Sequence, residues 1–481
     1  LEEMRDAVRD QPIEVQEVYQ QLRQHYNQLQ QHVRTPIQDA LASATYAYML
    51  GSNPSFTVLQ LMQTPMIAAP LLAGRNSVPA VTRALVTAGK DVVSIFKDIM
   101  ESGTEFKAGR NAGEQNMLRY MMSRNALAGT EASDFMAVAD GAKGLSKAGQ
   151  VAMKVAGFLP HHAERLNRIS TALAAYRLAL GNPKILAEVS NDLYNQYRAD
   201  HPDVNLTKAQ YAAARYAEKM VTDAHVDFAQ DTLPYLMQRG VIPGSRLMLQ
   251  FKKYQYGMMK IIVQNASDVI RKEVPANERW AAARTLASTL ATHQFMTGLM
   301  GLPFFGAGLL IADLYRRFAG DPDDPIDAET RYRNWVTDTF GREAGEVISR
   351  GILRAPGIRD VAPADITGRV GLGELLVGGD RLGQISGENL QLYLASVVGG
   401  PALSMLGNMV DGTKMLANEE YQRAAEAFLP KVFRDLFKAQ RFATEGVITS
   451  KGKLVIPPED LSTADIAAQA LGFQPQRLES A

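Results

Sequence analysis

Apolar residues recur at Val15, Tyr19, Leu22, Tyr26, Leu29 and Val33, a 4-3-4-3-4 spacing that keeps one seam on a long helix. Gln16, Gln20, Gln21, Gln24, Gln28, Gln30 and Gln31 lie between them, giving the helix a glutamine-rich outer face. A seam of this kind suits packing against copies of the same helix or against another long helix, and an ordinary surface helix on a domain would carry it as well. The stretch 1–38 is read as this heptad-bearing helix.

Two long stretches carry no formal charge. The first, Ala40 to Gly74, is interrupted by Gly51-Ser52-Asn53-Pro54-Ser55, Pro65 and Pro70. These breakers predict two short apolar helices around a turn, capped by Ser52 or Ser55, and no single straight span. Phe56 to Leu72 then lies in a membrane interface or packs against the second stretch. That second stretch, Thr285 to Ala312, is the element around which the chain is organised. Its distal half holds the membrane-facing candidates Phe295, Met296, Leu299, Met300, Leu302, Phe304, Phe305, Leu309, Leu310 and Ile311. A hydrocarbon core takes roughly 20 apolar residues of helix to cross, so the length suffices while the apolarity is marginal. Ser288, Thr289, Thr292, His293 and Gln294 are unusual against lipid but acceptable against other helices or a wet lumen, and Pro303 is expected to kink or break the helix. A buried helical hairpin in a large soluble protein fits the same pattern.

Elsewhere the period is helical. Val81, Leu85, Ala88, Val92, Ile95, Phe96 and Ile99 mark an amphipathic helix over 77–100, and 117–139 a methionine-rich one. A helix pair is expected over 150–180, a helix over 208–229, another over 331–354 containing Trp335, and one over 419–442 that Pro430 kinks or splits. Gly-rich links run over 101–114, 141–149 and 357–387. Val447 to Ile456, with β-branched flanks around Gly452, predicts a small hairpin. Ser462 and Thr463 cap a last helix over 464–471, closed by Gly472. The fold class is therefore mainly α: an elongated multi-helix protein with one small C-terminal β-hairpin. Its regions are the seam helix, an apolar helical region 39–140, a helical region 141–284, the uncharged segment 285–320 and a C-terminal helical region 321–481.

Composition narrows the function. The 481 residues hold 51 Lys plus Arg against 51 Asp plus Glu, so no global field attracts nucleic acid or an anionic membrane, and such contacts must be local. One local asymmetry exists. Thr232 to Ser267 has no acidic residue, while Arg239, Arg246, Lys252, Lys253 and Lys260 are interleaved with Tyr235, Phe251, Tyr254 and Tyr256. Cations among aromatics can hold phosphates while rings meet bases or headgroups, although a solvated helix face has the same look. Cysteine is absent, which removes disulfides and thiolate sites. Leu1 is not an initiator methionine, and a longer polypeptide is expected to precede it.

Catalytic signatures fail on spacing. Gly446 to Gly452 has the wrong interval for a phosphate-binding loop, and Gly-x-Ser-x-Gly is missing. His161 and His162 point about 100° apart on a helix and lack an i, i+4 partner, so no metal site is expected; Glu164 and Arg168 form a plain stabilising pair instead. Glu101-Ser102-Gly103 matches the catalytic Glu-Ser of lytic transglycosylases but lacks the blocks that follow it there. No enzyme and no cofactor are expected.

Several blocks in order resemble the C-terminal part of the large internal virion, or ejection, proteins of short-tailed phages and related large polyvalent phage proteins. They are Ser52-Asn53-Pro54-Ser55 through Gln63-Thr64-Pro65, then Glu164-Arg165-Leu166-Asn167-Arg168 with Ala175-Tyr176, and Phe251-Lys252-Lys253-Tyr254. Gly298-Leu299-Met300-Gly301-Leu302-Pro303, Glu445-Gly446 and Ala470-Leu471-Gly472-Phe473-Gln474-Pro475 complete the series. The resemblance implies storage in the virion interior, then release ahead of the genome to assemble a conduit for DNA through the host periplasm and inner membrane. Its implied partners are copies of itself, other virion core or ejection proteins and the portal, genomic DNA and the host inner membrane. The alternative is an internal core or scaffold protein that organises packaged DNA at the portal without entering a membrane.

Overall fold

The structure is a computed structural model and describes residues 44–49, 51, 53–102, 111–127, 147–225, 253–306, 308–309, 312, 328–364, 366, 370–372, 405–419, 421–448 and 453–479. It is a mainly α, elongated multi-helix protein with one small β-hairpin near its C-terminus. The helices used below are α1 (Pro54–Leu61), α2 (Ala69–Arg75), α3 (Val78–Ser102), α4 (Ala112–Ser123), α5 (Lys147–Leu180), α6 (Asn191–Asp200) and α7 (Lys208–Ala224). They continue with α8 (Lys253–Ile270), α9 (Ala276–Thr297), α10 (Ala328–Phe340), α11 (Arg342–Arg350), α12 (Tyr421–Phe428), α13 (Lys431–Glu445) and α14 (Thr463–Ala470). The seam Val15, Tyr19, Leu22, Tyr26, Leu29 and Val33 lies outside the described residues.

The larger core joins α3, α4, α5 and α7. Small side chains, Ala172, Ala175 and Ala179 on α5 and Ala213, Ala214 and Ala217 on α7, let these two helices run close together. Ile169, Leu173, Met117 and Met121 fill the remaining space, each fully buried and each worth roughly 1.5–3 kcal/mol in apolar transfer. Tyr197 of α6 stacks on Tyr211 of α7 at 4.1 Å between ring centres, and the Tyr120 hydroxyl donates to Glu218 at 3.0 Å, fastening α6 and α4 to the same helix. Two expectations are corrected here. The pair over 150–180 is one helix continuous through Pro160, and the helix expected over 117–139 ends at Ser123.

A smaller core gathers distant parts of the chain: Met66, Ile67 and Ala68 meet Ala224, Met258, Ile261 and Ile262, and Val370, Leu372, Ala468 and Phe473 close over them. The start of α1 is tied to the end of α14. Ser55 N–H donates to Leu471 O at 2.9 Å, and Gly472, at φ 89°, is so close that a Cβ there would lie 2.7 Å from Asn53 Oδ1. The cap of α1 is Asn53 rather than Ser52 or Ser55, because its side chain accepts both Ser55 N–H (3.0 Å) and Ser55 Oγ (2.8 Å).

Local signals account for the C-terminal region. Pro430 separates α12 from α13, Val447–Ile448 pairs antiparallel with Leu454–Ile456, and Ser462 caps α14 in a reciprocal box with Asp465. Ile456 of the hairpin packs with Phe442 and Leu461. The single helix expected over 331–354 is instead α10 and α11, divided at Gly341 with φ 81°.

Candidate membrane-facing helix and its anchor

The two uncharged stretches meet. Gly74 of α2 sits against α9 so closely that a Cβ on it would lie 2.1 Å from Thr285 Oγ1 and 3.0 Å from Ala281 O. Such backbone approach at a small residue is how helices pack where no hydrophobic drive separates them from their surroundings. Arg75 brackets the contact by reaching Glu278 at 2.6 Å and also Glu188, and Arg284 donates to Asn76 O.

The faces of α9 are inverted. Its buried side carries Ala282, Thr285, Thr289, His293 and Thr297, and its exposed side carries Trp280, Ala287, Ala291 and Phe295. Trp280 is 68% exposed and Phe295 60%, whereas His293 and Thr297 are completely buried. Three of the buried polar side chains bond along the helix itself: Thr289 Oγ1 donates to Thr285 O (2.8 Å), His293 Nδ1 to Thr289 O (2.8 Å) and Thr297 Oγ1 to His293 O (2.7 Å). Back-bonding of this kind lowers the cost of placing a polar side chain in an apolar setting.

The helix stops at Gly298, not at Pro303 as expected. Gly298 has φ 69°, and a Cβ there would lie 2.3 Å from the backbone of Ser349 and Arg350; a Cβ on Gly351 would likewise lie 2.3 Å from Met296 O. Two glycines thus let the ends of α9 and α11 cross in backbone contact, and no larger residue fits either position. The distal candidates are accordingly not one span. Leu299–Gly301 forms a 3-10 turn and Phe304 takes φ 65°. Phe295 and Phe304 are exposed, while Met296, Leu299, Met300, Leu302, Phe305 and Leu309 are half-buried, Phe305 packing edge-on to Tyr332 at 5.0 Å. Leu310 and Ile311 lie outside the described residues.

Pro54–Arg75, 22 residues long, is the one helix among the described residues long and apolar enough to cross a membrane. The expectation that Pro65 and Pro70 break it is corrected. A single wide turn, Thr64–Ala68, in which Ala69 N–H reaches back to Thr64 O, absorbs Pro65 without ending the helix. The polar side chains of its first half are held by an anchor on α5 and α7. Asn167 donates to Gln60 O and accepts from Thr64 Oγ1 at 2.9 Å. His225 Nδ1 lies 3.4 Å from Gln63 Oε1 and its Nε2 2.9 Å from Thr171 Oγ1, so the ring bridges the two elements. Arg168, 3% exposed, pairs with Glu164 at 2.9 Å and also donates to His225 O (3.0 Å) and Ala126 O (3.2 Å). The expected plain Glu164–Arg168 pair is therefore a buried junction. Burial, assisted by the Arg168 cation, pushes His225 down to about 3.

The remaining candidates are scattered. His162 is a ring partner of Phe158 (4.1 Å) and Phe96 (5.1 Å), and burial pushes both His161 and His162 below their ordinary range; no cluster of metal-binding side chains occurs among the described residues. Of the basic stretch, Lys260 is exposed on α8. Lys253 begins that helix with its side chain outside the described residues, as Arg239, Arg246 and Lys252 are altogether. The sequence reading missed Trp280, Ala287 and Ala291. Their signal was the i, i+4, i+8, i+12 spacing of Thr285, Thr289, His293 and Thr297, which leaves the opposite side apolar. Comparison with protein-family models, with curated proteins and with solved structures finds no match to this chain.

Proposed function

We propose that this chain is an internal virion protein of the ejection type, which in several copies forms part of a DNA-translocation conduit through the host envelope. The observation that carries the reading is the inverted face of α9. A protein stored in a water-filled particle cannot display a long, wholly apolar span, yet one lodged later in lipid needs backbone and side-chain polar groups satisfied from within. α9 meets both demands. Thr289, His293 and Thr297 each donate along the helix's own axis, and those three bonds stay in place when α2 is exchanged for lipid. The exposed Trp280 and Phe295 stripe then gains the apolar neighbours it lacks in water.

Tryptophan fluorescence tests this directly, because Trp280 and Trp335 are the chain's 2 tryptophans. In a Trp335→Phe chain mixed with liposomes, Trp280 emission shifts to the blue and is quenched by brominated acyl chains, and the protein floats with the vesicles and releases an entrapped dye. Phe295→Asp lowers flotation at least tenfold. If emission is unchanged and nothing floats at any salt concentration, the conduit reading fails and a core or scaffold protein at the portal takes its place.

A further inference from the structure

Between α2, α7, α8 and α9 lies a cleft of about 630 Å³. Its floor is apolar, made by Leu71, Met220, Ile261 and Ala282, one residue from each helix. Its rim carries both signs of charge. Lys219, Lys260 and Arg271 stand with Asp223 and Asp268, and among the described residues no carboxylate closes on any of the three cations within ion-pair distance. Asp223 is pushed up by burial while Lys219 and Lys260 pull it back, so both lysines face that carboxylate without contacting it.

A second observation points to a ligand. Tyr216 lines the cleft and is 6% exposed, yet its hydroxyl is buried with no hydrogen-bond partner among the described residues. The Asn76 side chain lies beside the phenol and donates to Leu72 O at 3.0 Å. A buried hydroxyl without a partner costs on the order of 1–3 kcal/mol, which a ligand oxygen would recover.

We propose that this cleft seats one zwitterionic phospholipid, its phosphate on Lys219, Lys260 and the Tyr216 hydroxyl, its ammonium toward Asp223 and Asp268, and its first acyl carbons on the apolar floor. The mixed rim disfavours a polyanion such as DNA, and the floor disfavours a free phosphate. The inference deepens the membrane reading and rests on it for its biological setting. Ala281, Ala282 and Thr285 of α9 line the cleft, so a lipid held there would sit beside the helix proposed to enter the bilayer.

The test uses the full chain and dihexanoyl-phosphatidylethanolamine below its critical micelle concentration, with glycerophosphoethanolamine and inorganic phosphate as separate arms, read by calorimetric titration. Saturable one-to-one binding of the lipid is expected, with Lys260→Glu and Tyr216→Phe each weakening it about tenfold while far-ultraviolet circular dichroism stays unchanged. Equal binding of inorganic phosphate would make the site a phosphate site, and absence of lipid binding or indifference to both variants would remove it; either overturns the proposal. Because no bilayer is present, lipid binding with failed flotation rejects the conduit alone, and flotation without short-chain binding rejects the cleft alone.

Discussion

Two buried polar stripes in this molecule solve the same problem in opposite ways. In the anchor, Arg168, Asn167 and His225 bond across helices, to Gln60, Gln63 and Thr64 of the Pro54–Arg75 segment and to backbone carbonyls of other elements. On α9, Thr289, His293 and Thr297 bond to their own helix one turn back. Separating helices at the anchor orphans several groups at once, each costing about 1–3 kcal/mol, whereas separating α9 from α2 leaves the three bonds of its ladder in place. The longer and more apolar segment is thus the one most firmly held, and under the proposed function the more polar α9 is the one that changes partners. Hydropathy alone ranks them the other way.

The largest test of this contrast is Arg168→Met. Removing the guanidinium leaves Glu164, 6% exposed, without its partner, and a broken buried pair costs about 3–5 kcal/mol. Chemical denaturation should show that loss, and the double variant Glu164→Leu/Arg168→Met should recover most of it, since the uncompensated charge is the main expense. A loss under about 1 kcal/mol, the range of a surface pair, would mean that the junction locks nothing and that the two stripes are alike.

Acidity gives the next largest effect, and only on one side of the comparison. His225 is pushed down to about 3 in the folded chain from an ordinary 6.5, by burial first and then by the Arg168 cation. Below pH 6.5 the unfolded chain takes up a proton that the folded chain refuses, so stability falls by about 1.4 kcal/mol per pH unit toward pH 3. Between pH 7 and pH 5 the loss is about 2 kcal/mol. His225→Gln keeps polar atoms in the pocket and should flatten that slope in urea titrations; a slope that survives the substitution would place the titrating group elsewhere.

What could be read beforehand follows the range of the interactions. The Ser462–Asp465 box, the Pro430 break and the hairpin at 447–456 are made by neighbours in sequence, and their residue types announce them. The end of α9 is different. Pro303 looks like the breaker, but Gly298 ends the helix because Ser349 and Arg350 cross it there, a contact with no local trace. Pro65 and Pro160 mislead for the same reason, since the helices around them are held by packing and by the anchor. The inversion of α9 was half visible. The spacing of Thr285, Thr289, His293 and Thr297 defines a polar side, but which side faces inward depends on Gly74. The cleft needs four helices at once and left no pattern in any one of them.

The smallest effect is the most discriminating. Replacing Thr289 with Val removes a hydroxyl that donates only to Thr285 O, a carbonyl that also accepts the backbone N–H one turn on, so no partner is left unsatisfied. Thermal unfolding should therefore change by less than about 1 kcal/mol, against the several lost at Arg168. The same substitution makes the buried face of α9 more apolar and should leave vesicle flotation equal or stronger. A loss near 3 kcal/mol would show that the hydroxyl holds α2 rather than its own helix; α9 would then be bound as firmly as Pro54–Arg75, and neither stretch would be free to exchange protein for lipid.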